Sequence, residues 1–583
     1  MGIQLKQLRV HGFRGLDNLE IDFEPTTVLV GTNNAGKTTL LKSLQLALSN
    51  TFQITDDDFH YSDAVIRDKI IIDILFISID VDGNPVAEFE DKWATVFTTD
   101  RIGIDGIGNQ FLAFRTVVEE NLIRKTYKKK QFVIDEWGDF NHETEGYWYS
   151  KEYDNELSFY FDEIPFFYLD ANRDILDDLK NKTSFLGKIL SSITYNPADR
   201  ELIESLIKEL NKETIERSEI LKNLHTTLEE LDTAMDNPQN TVDITPFTKK
   251  IRDLNKGVKI NYSQFSMEYH GMGTRSWSSL LILKAFILQN KKLADESQVA
   301  YYPIIAIEEP ESHLHPNAQK KLYSQINNIV GQKIVATHSS YIAGSAKLKE
   351  VRSINRITSN IAIGKFLESE FNSEDIRKIY RQVINTRGEL FFSKLVILFE
   401  GETEEQALPI TIIRHLDKNP IELGVDFIGV GGSGNYLPFI RFFEAFNVPY
   451  LIFSDNEVEA NATVTNQISK SKLNDMNKVV FLNSGNDFEK ELCVNGYIDE
   501  VKLAYYHLIL SECTNEQHRI AKKAQLDQIP NTDYYDLVTG LKTQFAPVIG
   551  YELYKSAKPL PPKIVELFEK VRLIINPTNH AAN

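Results

Sequence analysis

Gly31-Thr32-Asn33-Asn34-Ala35-Gly36-Lys37-Thr38 decides how the rest of this chain is read. It matches G-x-x-x-x-G-K-[ST] at every fixed position. It stands between a short apolar run, Val28-Leu29-Val30, and a segment with Leu40, Leu41, Leu44 and Leu48 at helical spacing. In a strand, glycine turn and helix of this kind, backbone N–H groups and the positive end of a helix surround phosphates. Gly31 and Gly36 let the turn close tightly, and Asn33 and Asn34 lie within it. Lys37 would neutralise the β- and γ-phosphates, the Thr38 hydroxyl would ligate Mg²⁺, and Thr39 follows in the first helical turn. An ATP site with Mg²⁺, in an α/β domain, is therefore expected.

Two later segments complete such a site. Ile304-Ile305-Ala306-Ile307 is an apolar strand that runs into Glu308-Glu309-Pro310, and Val335-Ala336 is another, running into Thr337-His338. One carboxylate at a strand tip can hold the water shell of a magnesium ion, and the next can polarise an attacking water. His338 stands where a γ-phosphate sensor would. With the long gap between the glycine turn and these motifs, the order resembles the ABC-type ATPases of the SMC and recombination branch. The resemblance implies that Glu308 is the metal-side acid of the Walker B strand, Glu309 the catalytic base and His338 the switch histidine. It also makes Glu311 to Pro316 the D-loop, although His313 and His315 taken alone also read as an H-x-H metal pair. The usual L-S-G-G-Q signature is absent. Gly271-Met272-Gly273-Thr274-Arg275-Ser276 stands in its place as a Ser-capped helix start, and no Q-loop glutamine is evident.

The chain has 583 residues, 42% of them hydrophobic, which is enough for several domains. Only Cys493 and Cys513 occur, so a disulfide framework and a four-thiolate zinc site are excluded and a reducing cytoplasm is expected. With 64 basic and 83 acidic residues the net charge is −19, which argues against nonspecific coating of nucleic acid. It does not argue against a nuclease, whose metal-holding carboxylates are themselves acidic. No apolar run reaches the roughly 20 residues of a membrane helix, and no signal peptide precedes the first strand, so no membrane partner is expected. Residues 66 to 165 are rich in strand formers. Their basic run, Arg124, Lys125, Lys128, Lys129 and Lys130, reads as a solvated edge strand. From about Arg173 helix formers take over, and Leu221, Leu224, Leu228 and Leu231 form a short heptad-like seam. It suits either a hairpin within one subunit or a dimer contact.

A third α/β stretch opens with Lys394-Leu395-Val396-Ile397-Leu398-Phe399 and runs into Glu400-Gly401-Glu402-Thr403-Glu404. Val430-Gly431-Gly432-Ser433-Gly434-Asn435 follows, then Tyr450-Leu451-Ile452-Phe453 leading to Asp455-Asn456-Glu457, and later Asn486-Asp487-Phe488-Glu489. Acidic groups gathered at one edge of a parallel sheet repel one another unless cations sit between them, which is the logic of a two-metal phosphodiesterase site. The ordered set resembles a Toprim domain, with D-x-E where D-x-D is usual.

An ABC-type ATPase joined to a Toprim domain is similar to the OLD (overcoming lysogenization defect) family of nucleases. The expected architecture is α/β, an ABC-type ATPase with a helical insertion followed by a Rossmann-like Toprim sheet. The expected segments are 1–172 and 259–375 for the ATPase, 173–258 for the insertion and 390–583 for the Toprim domain. The resemblance implies an ATP-binding and hydrolysing, divalent-metal-dependent endonuclease that cleaves DNA in anti-phage defence. Mg²⁺ would serve, with Mn²⁺ an alternative at the Toprim site. Glu400, Glu404, Asp455, Glu457, Asp487 and Glu489 become metal ligands or their neighbours, and Lys555, with Lys558 second, becomes the late lysine facing the scissile phosphate. A homo-oligomer, dimeric or larger, is implied. A companion such as a helicase, a reverse transcriptase or an RNA is left open. The rival readings are an RNA-cleaving Toprim nuclease and an SMC-type ATPase whose Toprim domain only binds.

Overall fold

The computed structural model describes the chain except Met1 and residues 50–51, 63–64, 122–125, 150–155, 158–159, 175–195, 221, 223–260, 263–264, 267–270, 358–359 and 576–583. Most of the expected insertion, including the leucine seam at 221–231, therefore lies outside the described residues. The helix Pro197–Arg217 belongs to that stretch and is described.

Three sheets organise the molecule. A six-stranded sheet has the order Phe166–Leu169, Ile304–Glu308, Gln332–Ala336, Thr26–Val30, Val351–Ile357, Asn360–Lys365. All its neighbours are parallel except the last pair. Thr26–Val30 and Gln332–Ala336 are buried along their whole length, as strands covered on both faces must be, and each ends in three consecutive apolar residues, Val28-Leu29-Val30 and Ile334-Val335-Ala336. A second, antiparallel sheet packs beside it and contains Gly2–His11, Lys69–Ile79, Gln110–Asn121 and Thr126–Val133. Thr126–Val133 is its edge strand. Of the expected solvated basic run, Lys129 instead turns inward and donates to Leu46 O and Ser49 O, closing the C-terminal end of the helix Lys37–Leu48.

The third sheet is four-stranded and wholly parallel, in the order Val425–Gly429, Leu395–Phe399, Tyr450–Ser454, Val479–Phe481. Parallel strands aligned this way put the chain segments that follow them at one edge. A continuous apolar core joins this sheet to the six-stranded sheet, running from Val28, Ile305 and Val335 through Phe391 to Leu398, Phe442 and Ile452. At the join, Ser353 and Asn355 donate to Phe446 O, and Gly364 lies against the Phe446 backbone, where an added Cβ would come within 2.6 Å of its carbonyl carbon. Among the described residues no helix is long and apolar enough to cross a membrane.

Candidate active sites

The first site lies at the carboxyl edge of the six-stranded sheet. Gly31 has φ 151° and an added Cβ would meet Ile354 O at 2.3 Å, so glycine is required there, and Gly36 caps the following helix at φ 111°. Lys37 is buried and folds back on the turn, donating to Gly31 O at 2.7 Å and Thr32 O at 3.0 Å. Burial pushes its ammonium down to about 8, against the pull of Glu309, Glu311 and Glu308. Thr38 donates its hydroxyl proton to Glu308 Oε1, and Tyr168, one strand over, donates to Glu308 Oε2. Burial and that hydrogen bond hold the Tyr168 phenol well above its ordinary pKa, so it remains a donor.

Glu309 has left-handed backbone, φ 40°. Its carboxylate stands 3.6 Å from His338 Nε2 and accepts from Ser312 Oγ at 3.3 Å. Burial, with the nearby Lys37 charge, lowers the His338 pKa, so the imidazole is neutral at physiological pH. Glu311 accepts from Thr337 Oγ1 at 2.8 Å and from the His338 N–H at 2.7 Å, tying the segment after Glu309 to the histidine. His315 caps the helix Pro316–Asn327, accepting from Asn317 N–H, which accounts for half of the H-x-H pair. The helix Met272–Glu296 starts earlier than the expected serine cap. Gly271 is its N-cap, without a side-chain hydrogen bond, and Ser276 is buried inside it.

The second site gathers the acidic pairs at the carboxyl edge of the four-stranded sheet. Glu400 follows one central strand and accepts from Ser454 Oγ at 2.8 Å, and burial with the Glu457 charge raises its pKa. Glu404 is buried in the first turns of the helix Glu402–Leu416. Asp455 follows the other central strand, and its Oδ1 is buried without a hydrogen-bond partner. Burial and the charges of Glu404, Glu400, Asp487 and Glu489 push the Asp455 carboxyl well up. Burial and Glu489 do the same to Glu404. Asp487 accepts from Lys490 N–H and from the Tyr535 hydroxyl at 3.0 Å, while Glu489 accepts from Thr403 Oγ1 at 2.6 Å. Glu457 lies at the exposed start of the helix Val458–Ser469. Asn456 is spent on the loop beside it, donating to Leu482 O.

The structure gives the two expected lysines other neighbours. Lys555 is exposed and lies over the Tyr551 ring, 4.2 Å from its centroid, and Lys558 pairs with Asp499 and Glu500. Lys542 is the lysine at the carboxylates, with Nζ 2.9 Å from Glu489 Oε2 and 3.7 Å from Asp487 Oδ2. Burial opposes its charge, but Glu489, Asp487 and Asp455 hold its pKa above the ordinary value. The sequence reading also missed Tyr168, Arg173, Thr403 and Tyr535. Tyr168 had one local signal, a polar tip on an apolar strand beside the Walker B strand. The others are set by tertiary contact alone.

Among the described residues no three His, Cys, Asp or Glu side chains form a ready-made metal cage. The donor set nonetheless suits a divalent ion. It is all oxygen, it holds more buried carboxylates than mutual repulsion favours, and it leaves one buried carboxylate oxygen unanswered.

Comparison with known proteins matches this architecture. The family model of the AAA ATPase domain covers residues 4–343, more than half of the chain, and that of the overcoming lysogenization defect protein-like TOPRIM domain covers 391–456. The chain belongs to the AAA ATPase domain family and carries an OLD-like TOPRIM domain. It is 22% identical to the OLD nuclease of Thermus scotoductus over 78% of this chain and 82% of that protein. It is 24% identical to endonuclease GajA of Bacillus cereus over 78% of this chain and 77% of that one. A solved C-terminal region of the Burkholderia pseudomallei OLD protein aligns to 32% of this chain and 99% of its own length, at 19% identity and a TM-score of 0.25. The ATPase match spans the glycine turn with Glu308, Glu309 and His338, and the TOPRIM match spans Glu400, Glu404 and Asp455.

Proposed function

We propose that this chain is an ATP-hydrolysing, divalent-metal-dependent endonuclease that cleaves DNA in the cytoplasm, works as a homo-oligomer and serves in anti-phage defence. The observation that carries the reading is Asp455, with a buried unpartnered oxygen among the like charges of Glu400, Glu404, Asp487 and Glu489. Relatives named as OLD nuclease and endonuclease support it.

Glu400, Glu404, Asp455 and Asp487 would hold the ions, with Glu457 and Glu489 beside them. Bound there, Mg²⁺ or Mn²⁺ supplies charge neutralisation at the scissile phosphate and a more acidic water. Lys542, anchored by Glu489, adds a fixed cation beside them, and Thr403 and Tyr535 orient Glu489 and Asp487. At the other site Lys37 releases the turn carbonyls to meet the phosphates. Thr38 and Glu308, already in contact, would hold a magnesium ion there, and Glu309 beside His338 would accept the proton of the attacking water.

The test is incubation of the full chain with plasmid DNA and with RNA, in Mg²⁺, in Mn²⁺ and in excess EDTA. DNA nicking or cutting that needs the added metal is expected. Cleavage in EDTA removes the reading, cleavage of RNA alone moves the substrate to RNA, and ATP hydrolysis without cleavage of either leaves an ATPase with a binding-only Toprim domain.

A further inference from the structure

Arg173 is buried, 7% exposed, and its guanidinium reaches main-chain carbonyls. Nη1 donates to Glu308 O at 2.9 Å and Asp170 O at 3.0 Å, and Nη2 donates to Pro310 O at 2.9 Å and Glu309 O at 3.4 Å. Three consecutive carbonyls, those of Glu308, Glu309 and Pro310, are thus gripped by one side chain. The turn they form is the one in which Glu309, a residue with a Cβ, takes φ 40°. Such backbone persists only where its surroundings over-determine it. Here the Glu309 N–H is held from the other side by Ala336 O at 2.8 Å.

The next residue reaches a different element. Asp174 Oδ2 lies 2.8 Å from Arg275 Nη1, in a pair whose side chains are 11% and 21% exposed. Arg275 belongs to the first turns of the helix Met272–Glu296, at the position where a signature motif was expected. That helix start also abuts the segment after Glu309. A Cβ added to Gly273 would come 2.4 Å from His313 O.

We propose that Arg173 is a positioning residue for ATP hydrolysis that fixes the Glu308–Pro310 turn and so aims Glu309, and that Asp174 ties this turn to the start of the Met272–Glu296 helix. The proposal rests on the reading of Glu309 as the base. Arginine is needed because its planar fork spans several acceptors at fixed angles, whereas a lysine ammonium is a single point that satisfies fewer of them. The guanidinium is committed to these four main-chain carbonyls. Its loss acts through the aim of Glu309, and a misplacement on the order of 1 Å can cost about 100-fold in rate.

The experiment uses the full chain, with Arg173→Lys, Asp174→Arg, Arg275→Asp, the Asp174→Arg/Arg275→Asp double variant and Glu309→Gln. The readouts are the Kd of a fluorescent ATP analogue, KM and kcat for phosphate release, and the melting midpoint. Arg173→Lys is expected to lower kcat by about 10- to 100-fold with Kd, KM and melting near wild type. Each single charge reversal is expected to lower kcat, and the double variant to recover most of the loss. A wild-type kcat for Arg173→Lys, or a loss matched by weaker nucleotide binding or a lower melting midpoint, overturns the positioning role. No recovery in the double variant removes the Asp174–Arg275 arm. Wild-type turnover by Glu309→Gln defeats the base reading itself. An inactive Glu309→Gln beside a wild-type Arg173→Lys defeats only the inference drawn here.

Discussion

Glu308 and Asp455 hold matching places in two different sheets. Each stands at the carboxyl end of a parallel strand with neighbours on both sides, and each lies among other acids. The protein treats them in opposite ways. Both Glu308 oxygens accept hydroxyl protons, from Thr38 and Tyr168, so that carboxylate is satisfied without any ligand. Asp455 keeps a buried oxygen with no donor, and four carboxylates act on it. An acid at a strand tip is therefore not informative alone. What separates a preset site from one that a cation must complete is whether the fold has already supplied the donors.

The largest effect should come from removing the unsatisfied acid. Asp455→Ala is expected to cut DNA cleavage by at least about 100-fold while ATP hydrolysis in the other domain continues at its wild-type rate. A gel assay and a phosphate-release assay on one preparation check both halves. Equal loss of both activities would break the contrast between the sites.

The two lysines sharpen the comparison. Lys542→Ala should lower cleavage by about 100-fold, since a cation fixed beside the carboxylates is lost, and Lys555→Ala should leave cleavage close to wild type. Cleavage rates of the two variants at saturating metal decide it, and the reverse order would return the role to Lys555.

A smaller effect concerns stability. Asp455→Asn relieves like-charge repulsion without changing shape, so in EDTA it should raise stability by about 0.5–2 kcal/mol even as cleavage stops. Calorimetry with and without Mn²⁺ measures it. The wild type should gain from the metal by mass action, and the variant should gain less. A drop in the EDTA melting midpoint would show that the Asp455 charge is already compensated.

The smallest effect belongs to the satisfied acid. Tyr168→Phe removes one of two donors to Glu308 and should cost about 1 kcal/mol, seen as a several-fold weaker Mg²⁺ dependence of ATP turnover. A change as large as that of Asp455→Ala would mean Glu308 is not preset after all.

The positions of the acids were legible because they are local. Glu308 and Glu400 directly follow an unbroken apolar run and Asp455 follows one after a single serine, and a run of that kind leading to an acid reads as a strand tip without knowledge of its neighbours. The glycine turn was legible for the same reason. What partners each acid was not. Lys542 and Lys555 are the two ends of one helix, about 20 Å apart at 1.5 Å per residue. Which end meets the carboxylates depends on how that helix packs against Glu402–Leu416, a contact fixed by Gly550 lying on Ala407. Arg173 reads as the first charged residue of a helical stretch, and three of its four carbonyl partners lie more than a hundred residues later. Side chains that bind backbone leave no pattern in the sequence of either partner.

The seam between the two catalytic units has its own consequence. Ser353, Asn355 and Gly364 of the ATPase sheet meet the backbone of Phe446, and Phe391, Phe442 and Phe446 pack edge-to-face and tilted into one aromatic knot. Neither unit closes this surface by itself. A lineage that exchanged one half for a foreign counterpart would have to exchange the matching face with it, since even a methyl group at Gly364 would strike the other half's main chain. The two sheets of this chain are therefore fitted to each other as a pair.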